Sequence, residues 1–301
     1  MFCERGGILE SSVKTFSVII PTYRRPVELD RLLTDLEKQK FEKLRERVEV
    51  IIVTENPDED TLNVINSHEE KSILDIVKII FGRKLGLPGA RNRGIEKARG
   101  EFLIFLDDDV RIDENFLKEC ERYSELKNFC FRIEGVKSHL LDRIFVGKMI
   151  FPLGLVFAGF GERLEKIVEI SHLPGACFIV RRGSGLIFDE KLGEGNAYLE
   201  DCDFSFRLRK LGEKLYYVPF YSIKHMPPES GGCREPDYRR WLRYYWSHKS
   251  YFIRKNGSSA CLIAAFFVAF LECFYLSVSK GRNFFKELFR GWREGILGKL
   301  E

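Results

Sequence analysis

Glu101-Phe102-Leu103-Ile104-Phe105-Leu106-Asp107-Asp108-Asp109 runs five apolar residues straight into three carboxylates. An apolar run this short, closed by polar residues, predicts a buried strand. With helices over both faces of a sheet, such a strand is apolar on both sides rather than alternating. Three adjacent carboxylates cannot be buried unpaired, because desolvation costs too much. The triplet therefore belongs where the strand leaves the core, at the carboxyl edge of an α/β sheet, where ligands of such sheets bind. Clustered Asp oxygens are hard donors, suited to Mg2+ or Mn2+ with a substrate phosphate completing the shell. The competing reading is an acidic turn ahead of a helix that opens at Asp113 and Glu114.

On both sides of this stretch, strands and helices alternate. Residues 16–20 form a β-rich run stopped by Pro21-Thr22, and Pro26 opens a helix whose Leu29, Leu32, Leu33 and Leu36 share one face. Strands are expected at 48–53 and 75–81, with a short helix at 61–67 between them. A flexible turn at 86–89 leads to a helix at 90–98 that Gly100 ends. This order predicts βαβ units and a mostly parallel sheet with helices on both faces, an α/β fold of the Rossmann-like kind. Further on, a helix at 113–126, a strand at 129–136, a Gly- and Pro-containing loop or lid at 144–160, a strand at 176–180, a helix at 199–211 and a short strand at 215–218 before Pro219 are expected. His225 then falls in a loop. The boundaries that follow are a loose leader at 1–14, a catalytic domain at 15–235 with halves at 15–110 and 111–235, and an extension at 236–301.

The bulk numbers exclude some classes. The 301 residues are 45% hydrophobic and 31% charged, a globular composition. A net charge of +4 is too mild to imply nucleic acid. None of the eight Cys forms a C-x-x-C pair, which removes a zinc ribbon or thioredoxin motif and predicts free thiols in a reducing cytoplasm. The mixed, polar residues 1–14 do not read as a signal peptide.

Two further constellations carry chemistry. Glu200-Asp201-Cys202-Asp203 opens a helix. Taken alone it reads first as acids favoured by the helix dipole, and second as a general base facing a cleft. A lone His such as His225 is most often a surface or core residue, but beside a carboxylate it suits Mn2+. Arg91 and Arg93 flank Asn92 in the helix after the Gly turn, as phosphate contacts or as part of a solvated face.

Taken in order, these pieces resemble the family 2 inverting glycosyltransferases of GT-A fold over residues 15–230. FSVIIPTYRR (16–25), VEVIIVTENPDED (48–60), GLPGARNRGIEKARGEFLIFLDDDV (86–110), LPGACFIVRR (173–182), LEDCDFSFRLRKLGEKLYYVP (199–219) and KHMPP (224–228) carry the likeness. The resemblance implies that Pro21, Thr22, Tyr23 and Arg25 line a nucleotide pocket. Glu55 would contact the base, Arg91 base or phosphate, and Asp107 and Asp108 would hold the nucleotide. Asp109 and His225 would be metal ligands, with His225 alternatively a diphosphate contact. Asp201 would be the catalytic base, with Gly175, Ala176 and Glu200 on the acceptor side. One departure is Thr54-Glu55-Asn56-Pro57, where the family usually has Asp-Asp or Asp-Asn and then Gly-Ser, and it leaves the nucleotide open. The implied reaction is inverting sugar transfer from a UDP-, GDP- or dTDP-linked donor, with Mn2+ or Mg2+ as cofactor, to a glycan or lipid-linked acceptor. A sugar nucleotidyltransferase would show a Gly-rich loop and Lys after the first strand, which PTYRRP lacks. An inactive binding module would have lost Asp109 or Asp201.

The tail changes character. Residues 258–279 are the most apolar stretch, interrupted by Glu272. Their length could just span a bilayer, but basic residues flank both ends, so no positive-inside signal emerges. Three arrangements follow: an interfacial helix with Trp241, Tyr244, Tyr245, Trp246 and Trp292 near headgroups, a spanning helix, or a helix buried on the catalytic domain or a second subunit. The first predicts a cytoplasmic enzyme at the inner face of the cell membrane.

Overall fold

The structure, a computed structural model, describes residues 15–83, 86–135, 139–193, 197–227 and 235–300. The expected leader at 1–14 and the far end of the strand expected to reach residue 136 lie outside them. The first half contains β1 (Phe16–Thr22), α1 (Pro26–Glu37), a single turn α2 (Leu44–Arg47), β2 (Val48–Glu55), α3 (Glu59–Lys71), β3 (Asp75–Phe81), α4 (Gly86–Lys97) and β4 (Phe102–Leu106). β1 pairs in parallel with β2 and β4, and β2 with β3. Every residue of β1, β2 and β4 is buried, as expected of strands covered on both faces. The leucine face of α1 is buried, and Asp58 caps α3 by accepting from the Thr61 amide at 2.9 Å.

The second half adds β5 (Val110–Arg111), α5 (Phe116–Arg122), β6 (Asn128–Glu134), α6 (Leu140–Ile144), the hairpin β7 (Met149–Ile150) and β8 (Leu155–Val156), β9 (Val168–Ile170), β10 (Cys177–Arg181), α7 (Glu200–Lys210) and β11 (Leu215–His225). Among the described residues one nine-stranded sheet results, in the order β3-β2-β1-β4-β10-β6-β11-β5 with β9 beside β11. β10 is antiparallel to both β4 and β6, while β11 is parallel to β6. β10 therefore joins two parallel halves.

Three expectations are corrected. Gly86-Leu87-Pro88-Gly89 is the first turn of α4 rather than a flexible turn; Pro is tolerated there because first-turn amides have no helical partner. The helix expected at 113–126 is shorter, with a 3-10 turn at Ser124–Leu126 after α5. The last strand does not stop at Pro219. It continues to His225, with an irregularity between Val218 and Ser222 that accommodates the proline's missing N–H.

The tail forms α8 (Tyr238–Asn256), α9 (Ser259–Lys280) and α10 (Phe285–Leu297). It is no detached appendage. Leu199 and Cys202, at the start of α7, share an apolar cluster with Leu242, Trp246 and Phe252 of α8 and Leu288 and Trp292 of α10. At the end of α8, Lys255 and Asn256 bind the buried Asp203 carboxylate at 2.9 Å each. Tyr244, Trp246 and Trp292, expected near headgroups, are instead buried in this cluster or beside it. The six described cysteines are all free thiols, and five are buried.

Candidate active site

The cleft lies at the carboxyl ends of β1, β2 and β4. It encloses about 270 Å3 and is lined by Pro21, Thr22, Tyr23, Arg25, Glu55, Gly86, Leu87, Ala90, Asp107, Asp108, Asp109, Ala197 and His225. Residues far apart in sequence converge because parallel strands deliver their carboxyl ends to one edge.

The three aspartates have separate environments. Asp108 points back under the cleft, accepting from Thr22 Oγ1 at 2.8 Å and from Arg25 Nη1 at 2.9 Å. Burial pushes its carboxyl up to about 6, against the pull of Arg25 and Thr22. Asp109 meets Arg25 Nη1 at 3.2 Å through Oδ2, and its Oδ1 stands 3.2 Å from His225 Nε2. Asp107 donates its amide to the Ala176 carbonyl at 3.0 Å, and its side chain is 25% exposed. Burial raises its carboxyl as well, opposed chiefly by Arg91.

His225 reaches Asp109 through pairing that links two distant parts of the chain. β5, directly after the triplet, pairs antiparallel with the end of β11, so His225 lies opposite Val110. Asp35 of α1 holds Arg111 of β5 through both carboxylate oxygens, at 2.6 and 2.8 Å, a bidentate pair that fixes the strand's position. Gly135, at φ +92°, allows the chain to turn over this strand end; a Cβ there would come 2.6 Å from the His225 carbonyl oxygen.

Arg91 lies behind the cleft wall rather than in it. Its side chain is 0% exposed. It donates to Asp107 Oδ1 at 2.9 Å, the Gly175 carbonyl at 2.8 Å and Glu200 Oε1 at 3.2 Å. The rings of Phe178 and Phe188 lie 5.9 and 5.4 Å from its guanidinium carbon. Burial opposes its charge, but Asp107, Glu200 and Asp201 outweigh that and hold it protonated. The expected contact of Arg91 with base or phosphate is thus replaced by a buried link between the two acidic clusters.

Glu200 and Asp201 open α7 on the far side of that link. A Cβ placed on Gly175 would stand 3.4 Å from Asp201 Oδ2 and 3.6 Å from Glu200 Oε1. Asp201 Oδ1 accepts from the Cys202 amide at 2.7 Å, and Asp201 does not line the cleft described above. Burial and then Asp201 push the Glu200 carboxyl up to about 7, against Arg91. Glu55 lines the cleft and accepts from the Gly86 amide at 3.0 Å, at the start of α4, where an anion is favoured.

Residues the sequence reading missed are Gly86, Leu87, Ala90 and Ala197, which line the cleft, and His172, which lies outside it within the electrostatic reach of Asp201. The first three carried a signal, the N-terminal turn of a helix aimed at the sheet edge. His172 carried none. It is buried, its Nδ1 has no hydrogen-bond partner among the described residues, and burial lowers its pKa despite the nearby Asp201.

Among the described residues, no three His, Cys, Asp or Glu side chains gather to hold an ion by themselves. Asp109 and His225 nevertheless give one oxygen and one nitrogen donor 3.2 Å apart at the cleft. That pair fits a divalent ion of the Mg2+ or Mn2+ type that takes most of its shell from substrate phosphates and water.

The family model described as Glycosyl transferase family 2 matches residues 17–184. The amylovoran biosynthesis glycosyltransferase AmsB of Erwinia amylovora is 36% identical, covering 95% of this chain and 99% of its own. The GalNAc(5)-diNAcBac-PP-undecaprenol beta-1,3-glucosyltransferase of Campylobacter jejuni is 28% identical, over 76% of this chain and 71% of its own. Among solved structures, the mannosyltransferase PcManGT of Pyrobaculum calidifontis, in complex with GDP-Man and Mn2+, aligns at TM-score 0.60. It covers 96% of this chain and 89% of its own, with 13% identity, and so shares the fold.

Proposed function

The chain belongs to glycosyl transferase family 2, and from that premise we propose that it moves a sugar, with inversion, from a nucleotide-diphosphate donor to the hydroxyl of a lipid-linked or membrane-associated glycan. The observation that carries this reading is the division of the acids. Asp107, Asp108 and Asp109 line one cleft with His225, while Glu200 and Asp201 stand across Gly175 from it.

In this reading, Pro21, Thr22, Tyr23 and Glu55 embrace the nucleoside. Arg25 holds Asp108 and Asp109 in place, and Asp109 and His225 hold the ion. When bound, Mn2+ or Mg2+ neutralises charge developing on the departing diphosphate. Asp201 takes the proton of the acceptor hydroxyl as that oxygen attacks the anomeric carbon from the face opposite the leaving group. Gly175 leaves the space beside the two carboxylates open for that hydroxyl. The Mn2+ in the Pyrobaculum structure and the undecaprenol diphosphate in the name of the Campylobacter relative support the cofactor and the acceptor class. A lipid-linked acceptor in turn supports work at the cytoplasmic face of the membrane.

Asp109→Ala tests the metal assignment. In the wild type, Mn2+ should raise nucleoside-diphosphate affinity. In the variant that increment should fall by at least about tenfold, in line with the cost of disturbing a metal shell. Titration calorimetry with and without Mn2+ reads it, and equal metal dependence in both proteins would remove Asp109 from the shell.

A further inference from the structure

We propose that the joint outer face of α9 and α10 docks flat on an anionic lipid bilayer, with α9 lying in the plane of the interface instead of crossing it. α9 buries little of its length. Its most apolar window has a mean hydropathy of 2.2, yet only 17% of that window is buried. Ile263, Phe267, Phe270, Phe274 and Val278 recur at helical spacing and are all exposed, so one continuous apolar stripe faces outward. Phe285 of α10 packs against Phe270, with ring centroids 5.0 Å apart, and carries the surface on to the exposed Phe289. Contiguous apolar area of this kind is rare on a soluble monomer.

The opposite side of α9 is committed to the protein. Ala265, Ala269 and Cys273 are fully buried in the cluster shared with α8 and α10. Glu272, the residue that interrupts the apolar run, accepts from Lys249 Nζ of α8 through both oxygens at 2.9 Å and from the Tyr245 hydroxyl at 3.3 Å, and Lys249 is 1% exposed. If α9 left α8 to span a bilayer, Glu272 would enter hydrocarbon and Lys249 would stay buried without its counter-ion. The ion pair therefore ties α9 to the surface of the folded unit.

The charges around the stripe select the occupant. Lys280, Arg282, Lys286, Arg290 and Arg293 are exposed beside it. Of the neighbouring acids, Glu287 binds Arg239 at 2.7 Å, and Glu294 divides its oxygens between Arg243 at 2.5 Å and Arg290 at 3.0 Å, which leaves Lys280, Arg282, Lys286 and Arg293 as the cationic rim. An apolar stripe rimmed by cations suits acyl chains beneath anionic headgroups. A second copy meeting this face across a two-fold axis would set like charges against each other. The inference needs the fold of the tail and not the reaction in the cleft, so its failure would leave the transfer chemistry standing.

Flotation of the full chain with sealed vesicles of equal parts phosphatidylcholine and phosphatidylglycerol tests it. The wild type should float, and Phe267→Asp/Phe274→Asp should partition at least about tenfold less while keeping the wild-type thermal midpoint. Orientation is read by a membrane-impermeant maleimide and peptide mapping, using Cys261 at one end of α9 and Ser279→Cys at the other. Both ends should react from outside the vesicle. Reaction at one end only would mean a spanning helix and overturn the proposal. So would absence of flotation combined with a dimer in solution that the double variant dissociates, which would make the occupant a second copy.

Discussion

Asp201→Asn is expected to bind donor nucleotide as the wild type does and to lose sugar transfer by on the order of 10²–10⁴-fold, the usual contribution of a general base. The substitution keeps the side chain's shape and can keep the local fold, since the bond from the Cys202 amide to Oδ1 needs only an acceptor. What it removes is the carboxylate charge beside Gly175. Donor affinity should survive because Asp201 stands outside the residues that line the cleft proposed to hold the nucleotide. Separate measurement of nucleotide affinity and single-turnover transfer distinguishes the two effects. Transfer at the wild-type rate would leave Asp201 only its favourable position at the N-terminus of α7.

Arg91→Met should destabilise the fold by about 3–5 kcal/mol, the range found when one partner of a buried ion cluster is removed. Methionine fills much of the space that the Arg91 side chain occupies beside Phe178 and Phe188, so the loss is mainly electrostatic. Glu200 would keep its burial, and Asp107 its partly exposed place at the cleft, without the cation that both face. The sign with pH follows. Burial already raises both carboxyls, Glu200 to about 7, and without Arg91 they rise further. The variant then holds protons that its unfolded chain releases above the ordinary carboxylate range, which favours folding at low pH. Its deficit against the wild type should therefore be largest near pH 8 and shrink as pH falls toward 5. Urea unfolding across that range measures it; a deficit below about 1 kcal/mol, independent of pH, would mean that the cluster does not join the two halves of the site.

The legibility of this protein follows the range of the interactions involved. β4 and its triplet could be read because burial on both faces and a sudden run of acids are local signals. The leucine spacing of α1 and the β-branched run of β2 are local too. His225 could be singled out but not placed. Its approach to Asp109 depends on β5 pairing with β11, over a hundred residues away, and on a strand that passes through Pro219 where local rules predict an end. Arg91 beside Asn92 and Arg93 reads as a phosphate contact first and as part of a solvated helix face second. Only the packing of α4 against the second half turns that residue inward, against two phenylalanines and two carboxylates. The aromatic residues of the tail were similarly ambiguous: the same composition serves a headgroup belt or a core, and Trp246 and Trp292 went to the core while the phenylalanines of α9 stayed outside.

The central claim is a single in-line displacement at the anomeric carbon, assisted by a carboxylate on the acceptor side. The stereochemistry of the first-formed product tests it most directly. A panel of α-linked UDP-, GDP- and dTDP-sugars, incubated with Mn2+ and a lipid-linked acceptor, identifies the donor, and NMR of the new glycosidic linkage reads its configuration. A β-linked product from the α-linked donor is predicted; an α-linked product would contradict the displacement.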